Sequence, residues 1–188
     1  TEEQRMASNE MTYEEAEPCF TLNKLDDGTY EITDYKKSCG PIVDVPSKVD
    51  GKVVTYIGEN AFSTCVELKH ITIPSSLKTL SKKMLCGYAF QDLVIPEGVE
   101  AIEDSAIYSS NLRSLHIPSS VKTIGEEITS GKNLETISVS ADNPYFKVVH
   151  GCLIDTREQK ILLATAGADI PQKAALEQIG ADVFSFRD

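Results

Sequence analysis

Apolar residues in this chain recur at a fixed interval. Four segments, LKHITIP (68–74), FQDLVIP (90–96), LRSLHIP (112–118) and LETISVS (134–140), open on Leu68, Phe90, Leu112 and Leu134, each 22 residues after the one before. Inside them Ile71/Ile73, Leu93/Ile95, Leu115/Ile117 and Ile137/Val139 alternate with polar positions, the period of a half-buried strand. Pro74, Pro96 and Pro118 follow. Proline has no N–H to give to a ladder, so it ends each strand. A second apolar pair comes next (Leu77/Leu80, Val99/Ile102, Val121/Ile124), and a short helical or 3₁₀ turn then carries Met84/Leu85, Ala106/Ile107 and Ile128. One such unit cannot bury its own apolar face, whereas stacked units cover one another. The pattern predicts a mainly β solenoid of right-handed stacked rungs, regular over 53–140.

The ends depart from the period. Residues 1–17, with six glutamates and no periodicity, predict a flexible acidic tail. In CFTLNKLDDGTYEIT (19–33) two β-prone runs flank Asp26-Asp27-Gly28, a hairpin signal, and this hairpin is expected to cap the open end of the stack. Residues 40–52 form an irregular first unit with Val45-Pro46 at the strand end, 28 residues before Ile73-Pro74. Residues 141–164 carry the Asn143-Pro144 turn and the apolar runs FKVV, CLID and KILLA, which predict an inserted β-hairpin. Ile170-Pro171, Leu176, Ile179-Gly180 and Phe184 then restore a partial last repeat over 165–188.

The pattern L-x-x-I-x-I-P-x-x-V-x-x-I-G-x-x-A-F resembles the BspA-like leucine-rich repeats of bacterial surface proteins. It is fullest in VVTYIGENAFSTCVELKHITIPSSLKTL (53–80), where Ile57, Gly58, Ala61, Phe62, Cys65, Leu68, Ile71, Ile73 and Pro74 fall on it. Leu80-Ser81 replaces Ile-Gly in the second unit, and Thr129 stands where the fourth should carry an aromatic. The resemblance implies a leucine-rich repeat solenoid over residues 18–188. It also implies an exported, cell-surface protein that binds a protein partner as an adhesin does, either host matrix or another cell-surface protein. The other reading is a ligand-free stalk in a longer surface protein, membrane-bound only through an anchor outside this chain.

Charge narrows the partners. The net charge of −11 argues against nucleic acid and anionic membrane, both of which select positive charge. The first residue is Thr1, read as the start of a processed form whose targeting segment has been removed. Of five cysteines, Cys65, Cys86 and Cys152 fall in apolar surroundings and are expected to be buried free thiols. Cys19 and Cys39 flank the capping hairpin and are placed to pair in an oxidising compartment, but spacing alone does not fix connectivity. No Cys/His spacing fits zinc, and no cofactor or small-molecule substrate is indicated.

Candidate chemistry is confined to the outward face of the strands. Equal offsets stack about 4.8 Å apart, so His70, Asp92, Ser114 and Thr136 form one column and Thr72, Val94, His116 and Ser138 the next. His, Asp and Ser in one column suggest a catalytic triad, but their order excludes it. A triad needs the imidazole between serine and carboxylate; here Asp92 lies between, leaving a weak His70–Asp92 pair as the expectation. Strand N–H groups used in the ladder also leave no oxyanion donors. The reading is therefore no enzyme, no metal, and a protein-binding face made of Lys69, His70, Thr72, Gln91, Asp92, Val94, Arg113, Ser114, His116, Glu135, Thr136 and Ser138.

Overall fold

The computed structural model describes residues 9–64, 67–86, 89–109, 111–129 and 132–170; of Cys86 it describes the backbone. The predicted solenoid forms, with about five turns. Strand β1 (Glu10–Met11) and the one-turn helix α1 (Tyr13–Ala16) lead into β2 (Phe20–Lys24) and β3 (Tyr30–Tyr35). A 3₁₀ turn at Lys37–Cys39 precedes β4 (Ile42–Asp44), β5 (Lys48–Val49) and β6 (Lys52–Ile57). The sheet order β1-β5-β6-β3-β2 makes the N-terminal cap.

The expected tail is thus partly folded. Thr12 caps α1 through a reciprocal box with Glu15, and Ala16 is buried outright. β1 pairs with β5, and the Tyr13 N–H donates to Asp50 Oδ1 at 3.0 Å. Periodicity gave no sign of this because the segment adds a strand to a distant edge and buries only one small side chain. Residues 1–8 lie outside the described residues.

Each of the first two regular rungs supplies three short strands, one to each of three parallel ladders, and the third supplies two among the described residues. β7 (His70–Thr72), β8 (Thr79–Leu80) and β9 (Leu85–Cys86) form one rung; β10 (Asp92–Val94), β11 (Ala101–Ile102) and β12 (Ile107–Tyr108) form the next. β13 (Ser114–Ile117) and β14 (Thr123–Ile124) follow, and β15 (Thr136–Val139) starts the last. The pairings β4-β7 and β10-β13-β15 make the first ladder, β8-β11-β14 the second and β9-β12 the third. Registers repeat the 22-residue offset, as in Leu93↔Leu115↔Ile137 and Ile102↔Ile124.

Inside the triangle the predicted columns are core, except that Ile124 and Val139, on the last rungs, are half-buried. Leu68, Phe90, Leu112 and Leu134 are buried, as are Leu77, Val99 and Val121, and Met84, Ala106 and Ile128. The departures from the repeat find partners. The Ser81 hydroxyl donates to the Ile57 carbonyl, and buried Thr129 donates to Ser109 O at 3.5 Å. The corner after the second strand is left-handed on successive rungs: Asn60, Lys83, Ser105 and Glu127 have φ of 63°, 51°, 53° and 46°. Gly98 is required where it stands. Its φ is +108°, and a Cβ there would lie 2.5 Å from the Ser75 carbonyl oxygen of the rung below.

The insertion is a three-stranded antiparallel meander rather than a bare hairpin: β16 (Phe146–Val149), β17 (Cys152–Asp155) and β18 (Lys160–Ala164). Residues 165–170, expected to begin a partial last repeat, include a turn and no strand, and Ile170 is 64% exposed. Its counterpart Ile117 is fully buried. Here the chain turns back along the meander, where the Asp169 N–H donates to His150 O at 3.0 Å. The remainder of that expected repeat, 171–188, lies outside the described residues.

Ile95 is 1% exposed and packed between rungs. Ile95→Ala is expected to cost about 2–5 kcal/mol in chemical denaturation. Because rungs are coupled, amide exchange should quicken in the flanking rungs as well as at the site.

Candidate functional site

The outward face of the first ladder is assembled as the alternation predicts. Lys69, His70, Thr72, Gln91, Asp92, Val94, Arg113, Glu135, Thr136 and Ser138 are exposed, and Ser114 and His116 half-buried. Asp92, Ser114 and Thr136 are in register, as are Val94, His116 and Ser138. Backbone hydrogen bonds fix the start of each strand: the Arg113 N–H donates to Gln91 O at 2.7 Å and the Glu135 N–H to Arg113 O at 2.8 Å.

Side chains on this face interact along and across the strands. Arg113 Nη1 lies 2.8 Å from Glu135 Oε1, one rung away. His116 Nδ1 is 2.8 Å from Ser138 Oγ, and its Nε2 is 3.3 Å from Ser140 Oγ. Thr72 donates to Asp44 Oδ1 at 2.7 Å. The expected His70–Asp92 pair is not what His70 makes. Its Nε2 lies 3.3 Å from Thr72 Oγ1, two residues along the same strand and on the same face. β7 pairs with β4, and β10 with β13, so His70 is in register with Ile42 rather than with Asp92. Ile42 and Asp44 therefore extend the two columns downward, and Ile42, 65% exposed, joins Val94, 66% exposed, as an apolar point on the face. Counting back 28 residues from Ile73-Pro74 to Val45-Pro46 would have revealed both.

A groove of about 360 Å³ runs along the rim where the ladder strands begin, lined by Gln91, Asn111, Arg113, Lys132, Asn133, Glu135 and Ala166. It is polar and open and brings no nucleophile against a base. Among the described residues no group of three or more His, Cys, Asp or Glu side chains is placed to hold a metal ion.

The cysteines divide in two. Cys19 and Cys39 form a disulfide with a Cα–Cα distance of 5.6 Å, joining the start of the capping hairpin to the turn before β4. Cys152 is a free thiol, fully buried, and burial raises its pKa above the ordinary value. Cys65 and the side chain of Cys86 lie outside the described residues.

Six copies of the BspA type leucine-rich repeat pattern match residues 44–148. The chain belongs to the BspA-type leucine-rich repeat family. Such repeats are generally non-enzymatic and generally mediate protein interactions. Among solved structures, a T. pallidum leucine-rich repeat protein is similar at 21% identity and a TM-score of 0.47, over 64% of this chain and 68% of that one. A leucine-rich cell surface protein of Faecalibacterium prausnitzii is similar at 22% identity and 0.46, over 64% of this chain and 38% of its own. The pneumococcal vaccine antigen PcpA is similar at 19% identity and 0.42, over 80% of this chain and 55% of its own. The chain thus spans between about a third and two thirds of the length of these solved chains. No curated protein matches it.

With Cys19 and Cys39 bonded and Cys152 free, the sequence expectation that Cys65 and Cys86 are free thiols predicts three titratable thiols in the denatured, unreduced protein, with Cys152 unreactive until unfolding. Reducing the Cys19–Cys39 bridge is expected to lower stability by roughly 3 kcal/mol, the scale for a loop of this size.

Proposed function

We propose that this domain is a cell-surface binding module that presents the first ladder, with its rim groove, to a protein partner, and that it is not an enzyme. The observation that carries this reading is the contrast between columns. Inward offsets repeat one chemistry from rung to rung, while outward offsets at the same register carry Asp92, Ser114 and Thr136, or Val94, His116 and Ser138. A scaffold frees those positions from core duty and holds them on a hydrogen-bonded backbone, which lowers the ordering cost of binding. Exposed Val94 and Ile42 supply apolar contact, and Arg113 beside Lys132 supplies charge.

Export is supported by the disulfide, since such bonds persist in oxidising compartments. It is supported too by the cell-surface description attached to the Faecalibacterium relative. The partner is a host matrix protein or another cell's surface protein. The face carries no aromatic anchor, so a single domain binds at about the micromolar level, near −8 kcal/mol. Strong attachment then comes from many copies on one cell.

The test is the double substitution Arg113→Glu with Val94→Asp. Both side chains are exposed, so folding should be unchanged by circular dichroism, while binding to a matrix protein captured by the parent should fall at least about tenfold in surface plasmon resonance. Equal binding by parent and variant would move the site off this ladder, to the meander at 143–164.

A further inference from the structure

The second ladder ends in a side chain. On each rung the carbonyl just before the strand accepts two N–H groups from the rung above: Lys78 O accepts from those of Glu100 (2.8 Å) and Ala101 (3.2 Å). Glu100 O accepts from those of Lys122 (2.7 Å) and Thr123 (3.3 Å). Lys122 O, next in the series, has no strand above it among the described residues. It accepts instead from Arg157 Nη2 at 3.0 Å.

Arg157 is built into that position from several sides. Its Nε donates to Asp155 Oδ1 at 3.1 Å, and its Nη2 to Asp155 Oδ2 at 2.6 Å. The guanidinium lies 4.3 Å from the centre of the Tyr145 ring and 5.3 Å from that of Phe146. Below the rings Asn143 is fully satisfied. It donates to Pro118 O and Val121 O at 2.9 and 3.1 Å and accepts from the Tyr145 and Phe146 N–H groups at 2.9 and 3.0 Å. A groove of about 300 Å³ runs beside the β14 edge, and Ile124, Asp155, Arg157 and Lys160 are among its lining residues.

We propose that Arg157 is a ladder terminator: its guanidinium takes the place of the next rung's N–H on Lys122 O and so closes the β14 edge to strand addition. An unpaired strand edge is a template for another chain, and a head-to-tail addition of one copy to the next does not close on itself. The planar, five-donor guanidinium suits the role. Its Nε–Nη2 edge holds the Asp155 carboxylate, Nη2 also reaches the Lys122 carbonyl, and its plane lies against an aromatic ring. Lysine has no such edge.

The experiment is sedimentation velocity of the full, disulfide-bonded chain across a concentration series, comparing parent, Arg157→Ala, Arg157→Lys and Lys160→Ala. Lys160 also lines the groove, where it pairs with Glu126 at 3.4 Å, but it does not reach the ladder carbonyl. The expected result is that both Arg157 variants gain weight-average mass with concentration, by about twofold or more, while parent and Lys160→Ala stay unchanged. Arg157→Lys keeps a cation for Asp155 and so carries the test if Arg157→Ala fails to fold. Folded Arg157 variants that remain monomeric, or association shown equally by Lys160→Ala, would overturn the assignment. An independent reading comes from the parent alone: the Arg157 guanidinium protons should be individually resolved and slow to exchange by NMR. Rapid averaging, as expected of a solvated surface arginine, would also overturn it.

The same pair gives a pH dependence. Burial works to raise the Asp155 carboxyl, but the hydrogen bonds and charge of Arg157 outweigh it, and the group lies below its ordinary value. A carboxyl lowered on folding contributes stability that is complete above the ordinary carboxylate value and lost as pH falls through the lowered one. Acid unfolding of the parent should therefore show a component below the ordinary carboxylate range that Asp155→Asn removes.

Discussion

In the regular part of this domain, strand hydrogen bonds run between rungs rather than within them. The Arg113 N–H reaches Gln91, Gly125 reaches Ile102, and Leu85 reaches Ala106, each across to a neighbouring turn of the chain. A single rung has neither a core nor satisfied strands, so structure exists only as a stack. That requirement fixes the register, and the register fixes everything else. A slip by one residue in Leu93↔Leu115↔Ile137 would place Asp92, Ser114 and Thr136 in the core column and expose the apolar one. Gly98 belongs to the same constraint, because rungs this close leave no room for a Cβ against the Ser75 carbonyl.

A stack held by its neighbours has a problem at both ends, and the two ends solve it differently. At the N-terminal end a five-stranded sheet is assembled from segments distant in sequence, with β1 added to β5 and β6 placed beside β3. Phe20, Tyr35 and Phe62 carry the core into it, with ring centres 5.3 and 5.4 Å apart, and the Cys19–Cys39 bond ties down its edge. At the other end the meander packs back on the last rung. Asn143 and Arg157 there satisfy carbonyls that regular rungs would leave to the next strand or turn. The first end is closed mainly by backbone pairing, whereas at the second side chains join backbone bonds such as that from the Ala166 N–H to Leu134 O.

The proposed binding face consists of what the register leaves over. The outward columns are rigid because their backbone is, and they vary because the core does not use them. The columns of the candidate face were legible from offsets alone, since a fixed period converts sequence spacing into spatial adjacency. Ile42 and Asp44 escaped because a 28-residue step replaces the 22-residue one there. The His70–Asp92 pairing failed for a related reason. Equal offset fixes register only where strands pair, and β7 and β10 lie side by side without pairing.

The sequence by itself determined the solenoid, its rung length, its core columns and the outward identity of His70, Thr72, Val94, His116 and their neighbours. Those follow from short-range alternation repeated at one period, which any stacking in register must obey. Only the tertiary structure decided that residues 9–17 fold onto the cap, that Cys19 meets Cys39, that the insertion is a three-stranded meander and that Ile170 stands outside the core. It also decided that Arg157 reaches Lys122 across 35 residues of sequence. These contacts join segments with no common period, and they depend on which edges and carbonyls the finished stack leaves unmet, a quantity no local pattern contains.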